Sequence, residues 1–223
     1  MPDRAVVFDL DGTLVDTAPD LMRATNHVLH TLGRRAISLE EVRSFVGHGA
    51  RALISRGCAA TGEPVDPRAL ETLYQEFVIY YADNIAAGST PFPGLIPLLE
   101  RCRAEGIALG VCTNKLESLS VKLLEALGMQ HFFGAIVGPD SIGIAKPDPR
   151  PYRETLRRLG DRNWASVMVG DSETDVKTAR AAGVPVIAVP FGYTPEPVSA
   201  YAPDYLVSHY GEMWDIIARV LDS

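Results

Sequence analysis

The stretch Val6-Val7-Phe8-Asp9-Leu10-Asp11-Gly12-Thr13-Leu14-Val15-Asp16 decides how the chain is read. Its β-branched and aromatic opening predicts a buried strand, and Gly12 predicts a turn directly behind it. Two carboxylates, Asp9 and Asp11, stand at the strand's carboxyl end, where an open α/β sheet gathers its ligands and chemistry. If both residues stay extended, the period of two points their side chains to the same side. Carboxylates that close repel each other, so their surroundings must supply a cation or separate their pKa values. Taken alone, the stretch is equally an ordinary strand-to-loop transition, because Asp and Gly are common turn formers.

Behind this strand, residues 18 to 87 read as almost entirely helical. Leu21, Thr25, Val28, Leu29 and Leu32 share one helical face, which Gly33 ends. Ser38 and Glu41 have capping-box spacing for a short helix reaching about Phe45. Gly47-His48-Gly49 interrupts the pattern, and Ala52, Leu53 and Ile54 open a segment that ends near Gly62. Asp66-Pro67 starts a longer helix carrying Leu70, Leu73, Tyr74, Phe77, Val78 and Tyr81, with Pro67 in its first turn.

After the linker Gly88-Ser89-Thr90-Pro91-Phe92-Pro93-Gly94, apolar strands alternate with helices. Strands are predicted at 107–112, 135–137, 166–169, 184–189 and 205–207, and helices at 95–102, 116–127, 149–159, 174–182 and 212–221. Such repeats imply a parallel sheet covered by helices. The opening strand belongs with them. The expected fold is therefore α/β: a three-layer, Rossmann-like parallel sheet core of residues 1–17 and 88–223, with an all-helical cap domain of residues 18–87 inserted after the first strand. That position makes the insert a lid, hinged around residues 16–19 and 88–93.

At 223 residues, 47% hydrophobic and 22% charged, the chain has a globular composition. No apolar run approaches the ~20 residues that span a bilayer. Met1-Pro2-Asp3-Arg4 leads straight into the strand and leaves no room for a signal peptide, so a cytoplasmic location is expected. Cys58, Cys102 and Cys112 are odd in number and lack paired spacing; they read as small buried apolar residues rather than a disulfide or zinc framework. A net charge of −7 without a basic cluster argues against nucleic acid as a partner. The same charge means that an anionic substrate must find local positive charge, which a metal ion would supply.

Three later strand ends also carry polar groups. Thr113-Asn114-Lys115 follows a buried strand, Lys146 stands in the stiff Ala145-Lys146-Pro147-Asp148-Pro149 loop, and Gly170-Asp171-Ser172-Glu173-Thr174-Asp175 closes another strand. Each has a plain structural explanation in isolation: a helix cap, a solvated loop lysine, and a cap with an acid complementing the helix dipole.

Together and in this order, Asp9-x-Asp11-Gly12-Thr13, Thr113, Lys146 and Gly170-Asp171-x-x-x-Asp175 resemble the four motifs of the haloacid dehalogenase superfamily of phosphotransferases. The resemblance covers the whole chain, including a helical cap after the first motif. It implies that Asp9 is a nucleophile forming an aspartyl-phosphate, and that Asp11 protonates the leaving alkoxide and then deprotonates the hydrolytic water. It implies Mg²⁺ as cofactor, held by Asp9, the backbone carbonyl of Asp11, and Asp171, with Asp175 a ligand or just outside. Thr113 and the backbone of Asn114 would hold phosphoryl oxygens, Lys146 would offset developing charge, and Thr13 and Ser172 would adjoin the substrate.

Asp11 separates the chain from the hydrolytic dehalogenases of that superfamily, which lack a second aspartate. The absence of lysine from residues 18 to 87 separates it from the phosphonate-cleaving relatives, which use a cap lysine. Phe45-Val46-Gly47-His48-Gly49-Ala50-Arg51 resembles the cap loop of phosphoglycolate phosphatases, and Thr113-Asn114-Lys115, Val137-Gly138-x-Asp140-Ser141 and Gly192-Tyr193 resemble later parts of them. Pro139 departs from that pattern. Gly47, His48, Gly49 and Arg51 are thus expected beside the substrate. Arg51 suits a carboxylate, whereas His48 is equally a loop residue between two flexible glycines.

The expected activity is Mg²⁺-dependent hydrolysis of a small phosphate monoester, first of all 2-phosphoglycolate. A sugar phosphate, pyrophosphate, or phosphosugar mutase chemistry are the alternatives. A binding protein that merely kept the fold fits the intact catalytic positions less well. No nucleic-acid or membrane partner is expected, and the chain is expected to be a monomer or homodimer.

Overall fold

The computed structural model describes residues 3–222; the expectations resting on Met1, Pro2 and Ser223 lie outside them. The first strand, β1 (Asp3–Phe8), alternates between two cores as its period demands. Val6 and Phe8 enter one core with Leu95, Leu99 and Met213, while Val7 enters the other with Tyr152, Met168 and Val176. β1 is followed by a two-residue strand, β2 (Val15–Asp16), and by four helices: α1 (Ala18–Thr31), α2 (Leu39–Phe45), α3 (Ala50–Thr61) and α4 (Pro67–Asp83). β3 (Thr90–Pro91) returns the chain beside β2.

The remaining elements alternate: α5 (Leu95–Ala104), β4 (Ala108–Cys112), α6 (Glu117–Ala126), β5 (Ala135–Val137), α7 (Pro139–Ile142), α8 (Arg150–Leu159), β6 (Trp164–Gly170), α9 (Glu173–Ala182), β7 (Val186–Ala188), β8 (Tyr205–Leu206) and α10 (Met213–Leu221). Six strands pair in parallel in the order β5-β4-β1-β6-β7-β8. Helices cover both faces, as the expected α/β architecture requires. Because β1 is flanked by β4 and β6, the chain reverses its winding there, and the crevice at the carboxyl ends of these strands is where such a sheet binds ligands.

The helix signals in the insert act as read. Ser38 and Glu41 form the reciprocal capping box, and the Asp66 carboxylate accepts the N–H groups of Arg68 and Ala69 at 2.9 Å each. Several short elements were not foreseen: α7 and the 3₁₀ turns at Gln130–Phe132, Val198–Tyr201 and Tyr210–Glu212. Pieces of three or four residues are too short to show a period.

The linkers to the insert are more ordered than a proline- and glycine-rich sequence suggests. Val15 pairs with Pro91 and Asp16 with Thr90 in an antiparallel ribbon. Asp20, buried at the start of α1, accepts from Gly88 N, Ser89 N and Ser89 Oγ at 3.0, 2.8 and 2.6 Å. Both strands joining the insert to the sheet are thus fastened together. No helix among the described residues is long and apolar enough to cross a membrane. Cys58, Cys102 and Cys112 are buried and unpaired, and burial pushes the Cys102 and Cys112 thiols up to about 12.

Candidate active site

The four strand-end motifs meet at the crevice beside β1. Asp9 follows β1 and donates its backbone N–H to Val169 O on β6, which brings it next to the Asp171 turn. Oxygens of Asp9, Asp171 and Asp175 lie within 4.8 Å of one another, and all three residues are buried. Lys146 comes from the loop before α8; its Nζ is 2.6 Å from Asp175 Oδ1 and 2.9 Å from Asp9 Oδ1. The contact to Asp9 is ionic and lacks hydrogen-bond angles, so Asp9 Oδ1 is one of two buried side-chain oxygens among the described residues without a hydrogen-bond partner.

The electrostatics follow from this crowding. Burial, opposed by the Lys146 ammonium, pushes the Asp9 carboxyl up to about 6. Burial, with Asp175 and Asp9 adding to it, holds Asp171 well above the usual carboxylate range. Burial works against the charge on Lys146, but Asp175 and Asp9 outweigh it and hold the ammonium above the ordinary lysine value. One lysine does not neutralise three carboxylates. The site is short of positive charge and offers hard oxygen donors, a set that fits a divalent cation such as Mg²⁺.

Within the cluster the carboxylates differ. Asp175 Oδ2 accepts from Asp171 N, Ser172 N and Ser172 Oγ, while its Oδ1 faces Lys146. Both of its oxygens are thus engaged in holding the loop and the lysine. Asp171 accepts one bond per oxygen, from Thr13 Oγ1 at 2.7 Å and Tyr193 N at 2.6 Å, and keeps lone pairs free. Asp9 and Asp171 are therefore the better ligand candidates. The hydroxyls of Thr13 and Ser172, expected beside the substrate, turn instead to these carboxylates.

Asp11 has separate partners. Its Oδ1 accepts from Thr17 Oγ1 at 2.7 Å, and Lys115 Nζ stands 3.0 and 3.2 Å from its two oxygens. The Lys115 ammonium also lies over the Tyr81 ring, 4.4 Å from its centroid. In the sequence Lys115 has no evident role, Tyr81 shows only as part of a helix face, and nothing signals Thr17. The available signal for Lys115 was a lysine directly behind a buried strand in a chain with only four lysines.

A cavity of about 240 Å³ opens from Asp9 and Asp11 toward the helical insert. Thr113, Asn114 and Lys115 line it from the sheet side, and Gly47, His48, Gly49, Arg51 and Tyr81 from the insert. Asn114 ties the two sides: its Nδ2 donates to Gly47 O and Lys146 O at 3.2 Å each, and its Oδ1 accepts from Lys146 N at 2.9 Å. Gly49, at φ 82°, passes so close that an added Cβ would lie 3.3 Å from Asn114 O.

The two insert side chains are less available than their sequence suggests. Arg51 forks Glu71 at 3.0 and 3.1 Å and stacks 3.6 Å over Tyr74. His48 Nδ1 lies 3.3 Å from Arg56 Nη2, and burial together with that guanidinium lowers its pKa below the ordinary imidazole value.

Comparison with known proteins agrees with this geometry. Residues 6–189 match the family model of haloacid dehalogenase-like hydrolases. The chain is 45% identical over 205 residues to a phosphoglycolate phosphatase of Mesorhizobium japonicum, covering 92% of this chain and 90% of that one. It is 44% identical to one of Caulobacter vibrioides, covering 92% and 86%. The crystal structure of a predicted phosphoglycolate phosphatase from Haemophilus somnus superposes with a TM-score of 0.88 at 27% identity, covering 96% of this chain and 97% of that one. The chain belongs to the haloacid dehalogenase-like hydrolase family and is a phosphoric monoester hydrolase within it.

Proposed function

We propose that the protein is a Mg²⁺-dependent phosphatase that hydrolyses 2-phosphoglycolate to glycolate and phosphate through an aspartyl-phosphate on Asp9. The observation that carries this reading is the placement of Asp9, which is gathered with Asp171 and Asp175, holds Lys146 at 2.9 Å and lines the cavity that the helical insert closes. A carboxylate that lines the cavity beside a fixed lysine is placed to meet a phosphoryl group brought there. The names borne by the relatives supply the substrate.

In the first step an Asp9 oxygen bonds to phosphorus as the phosphorus–ester oxygen bond breaks, its electron pair leaving with the alkoxide. Asp11, as general acid, gives that alkoxide its proton. In the second step Asp11 takes a proton from water, the water oxygen bonds to phosphorus, and the bond to Asp9 breaks, releasing phosphate. Such proton transfer contributes about 10²–10⁴ in rate. Lys146 offsets charge on the transferring phosphoryl group, and Thr113 donates to its oxygens. When bound between Asp9, the Asp11 carbonyl and Asp171, Mg²⁺ supplies the remaining positive charge that lets clustered carboxylates accept a phosphate dianion.

In this reading residues 18–87 form a cap that opens and closes over the core of residues 1–17 and 88–223, and the Gly47-His48-Gly49 loop closes over the substrate. Three unpaired thiols suit a reducing cytoplasm. The test is turnover of a panel of phosphate esters with Mg²⁺: 2-phosphoglycolate, sugar phosphates, a sugar bisphosphate and pyrophosphate. Turnover of 2-phosphoglycolate at least as efficient as that of any sugar phosphate is expected, with the Asp9→Asn variant losing about 10³ or more of it. A sugar phosphate or pyrophosphate turned over more efficiently would remove the substrate assignment, and an active Asp9→Asn variant the mechanism.

A further inference from the structure

We propose that Lys115 and Tyr81 form the subsite that reads the carboxylate of the substrate. The inference deepens the assignment of 2-phosphoglycolate and rests on it. That substrate carries two anionic groups, and the cluster around Asp9 and Lys146 accounts for only the phosphoryl one. Its carboxylate stands a single methylene beyond the ester oxygen that Asp11 protonates, so the group that reads it must adjoin Asp11.

Few cations face the cavity. Arg51 has its fork filled by Glu71 and its plane covered by Tyr74. His48 stands against the Arg56 guanidinium, a neighbour that disfavours an imidazolium. Lys146 lies between Asp9 and Asp175. Lys115 is different: its side chain is 5% exposed, its Nζ lies against both Asp11 oxygens, and it lines the cavity. An ammonium has three donors, so Lys115 can hold Asp11 and a second carboxylate together.

Tyr81 supplies an independent observation. Its hydroxyl is the other buried side-chain oxygen among the described residues with no hydrogen-bond partner, and Tyr81 lines the same cavity. The Lys115 ammonium beside it can only donate, so the hydroxyl's own O–H lacks an acceptor, which is costly in a buried site, and burial keeps it protonated by pushing its pKa up to about 12. A substrate carboxylate beside Lys115 would accept both the Tyr81 O–H and a Lys115 N–H. The surrounding wall of Leu21, Leu53, Phe77, Leu116 and Leu119 is apolar, which strengthens such bonds and gives a sugar's hydroxyls little to pair with. Lys115 follows β4, whereas Tyr81 belongs to α4 of the insert, so a carboxylate held by both bridges sheet and insert.

The test compares kcat/KM for 2-phosphoglycolate and for 2-hydroxyethyl phosphate, an ester of similar length ending in a neutral hydroxyl. It uses the wild type, Lys115→Met and the conservative Tyr81→Phe. Lys115→Met also deprives Asp11 of a partner, so it is expected to slow both esters, and that common loss cancels in the ratio. The preference for 2-phosphoglycolate is expected to fall about 30- to 100-fold in Lys115→Met and about tenfold in Tyr81→Phe, chiefly through KM. Inhibition by glycolate is expected to weaken in parallel. An unchanged preference in both variants, while the wild type still turns over 2-phosphoglycolate, overturns this subsite and leaves the substrate assignment standing. A wild type that hydrolyses the other esters but not 2-phosphoglycolate overturns both.

Discussion

At the scale of the residue, the site is made by what fits against Asp171. An added Cβ at Gly12, which has φ 85°, would lie 2.6 Å from Asp171 Oδ2, and one at Gly192 would fall inside the same carboxylate. Only glycine lets Tyr193 N approach Asp171 Oδ2 to 2.6 Å. Gly192→Ala is therefore expected to swing Asp171 out of line while sparing the remote core. Because disturbing the partners of a ligand typically costs 10–100-fold in metal affinity, the Mg²⁺ concentration for half-activation should rise about tenfold or more. A titration of activity against Mg²⁺ decides it, and an unaltered half-activation point would show that Asp171 is not a ligand. The acids themselves were legible because a strand end carrying Asp-x-Asp-Gly-Thr is rare chemistry in few residues. Lys115, Tyr81 and Tyr193 were not, because their roles depend on contacts across 104, 34 and 22 positions of chain respectively, with no local pattern to announce them.

At the scale of the element, the joint between sheet and insert is the feature the sequence concealed. The helices were legible, since capping residues and apolar faces repeat every few residues, and the βα alternation announced the parallel sheet. The ribbon of β2 and β3 has two residues per strand and is written in the same prolines and glycines as a flexible linker. Its order comes from side chains at a distance. Asp20 gathers three donors from Gly88 and Ser89, and Tyr193 ties the far side by donating its hydroxyl to Asp16 and accepting from Ala18 N at 2.9 Å. Asp16 in turn pairs with Arg43 of α2. Asp20→Asn keeps the shape but removes the charge that strengthens these bonds and places an N–H₂ group among donors. The buried donors left unsatisfied should cost about 2–3 kcal/mol in denaturant unfolding. A loss below about 0.5 kcal/mol, the level of ordinary surface changes, would mean that the ribbon holds without Asp20.

At the scale of the molecule, the buried acid cluster ties stability to pH, and under the proposed function to metal as well. Asp9 titrates near 6 when folded against an ordinary value of 3.8, and Asp171 is shifted the same way. A raised carboxyl means that the folded state binds protons more tightly than the unfolded state. Its contribution is fully present below about pH 4 and is lost as pH rises through the folded value. Half-buried Glu41, Glu154 and Asp148, each lowered to about 2 by arginine partners, act oppositely, but their window closes below pH 5. Between pH 5 and pH 7.5 the metal-free protein is therefore expected to lose stability as pH rises, by up to about 1.4 kcal/mol per unit for each acid titrating in that interval. Mg²⁺ held there would favour the ionised acids, so its binding would compete with protons, and its stabilisation would follow its affinity. Thermal melts with Mg²⁺ and with chelator should separate by several degrees at pH 7.5, since about 1 kcal/mol shifts Tm by 2–4 °C in a chain of this size. The separation should shrink to a small fraction of that at pH 5. Equal separation at the two pH values would contradict the link, because a cation bound away from Asp9 and Asp171 would not compete with their protons.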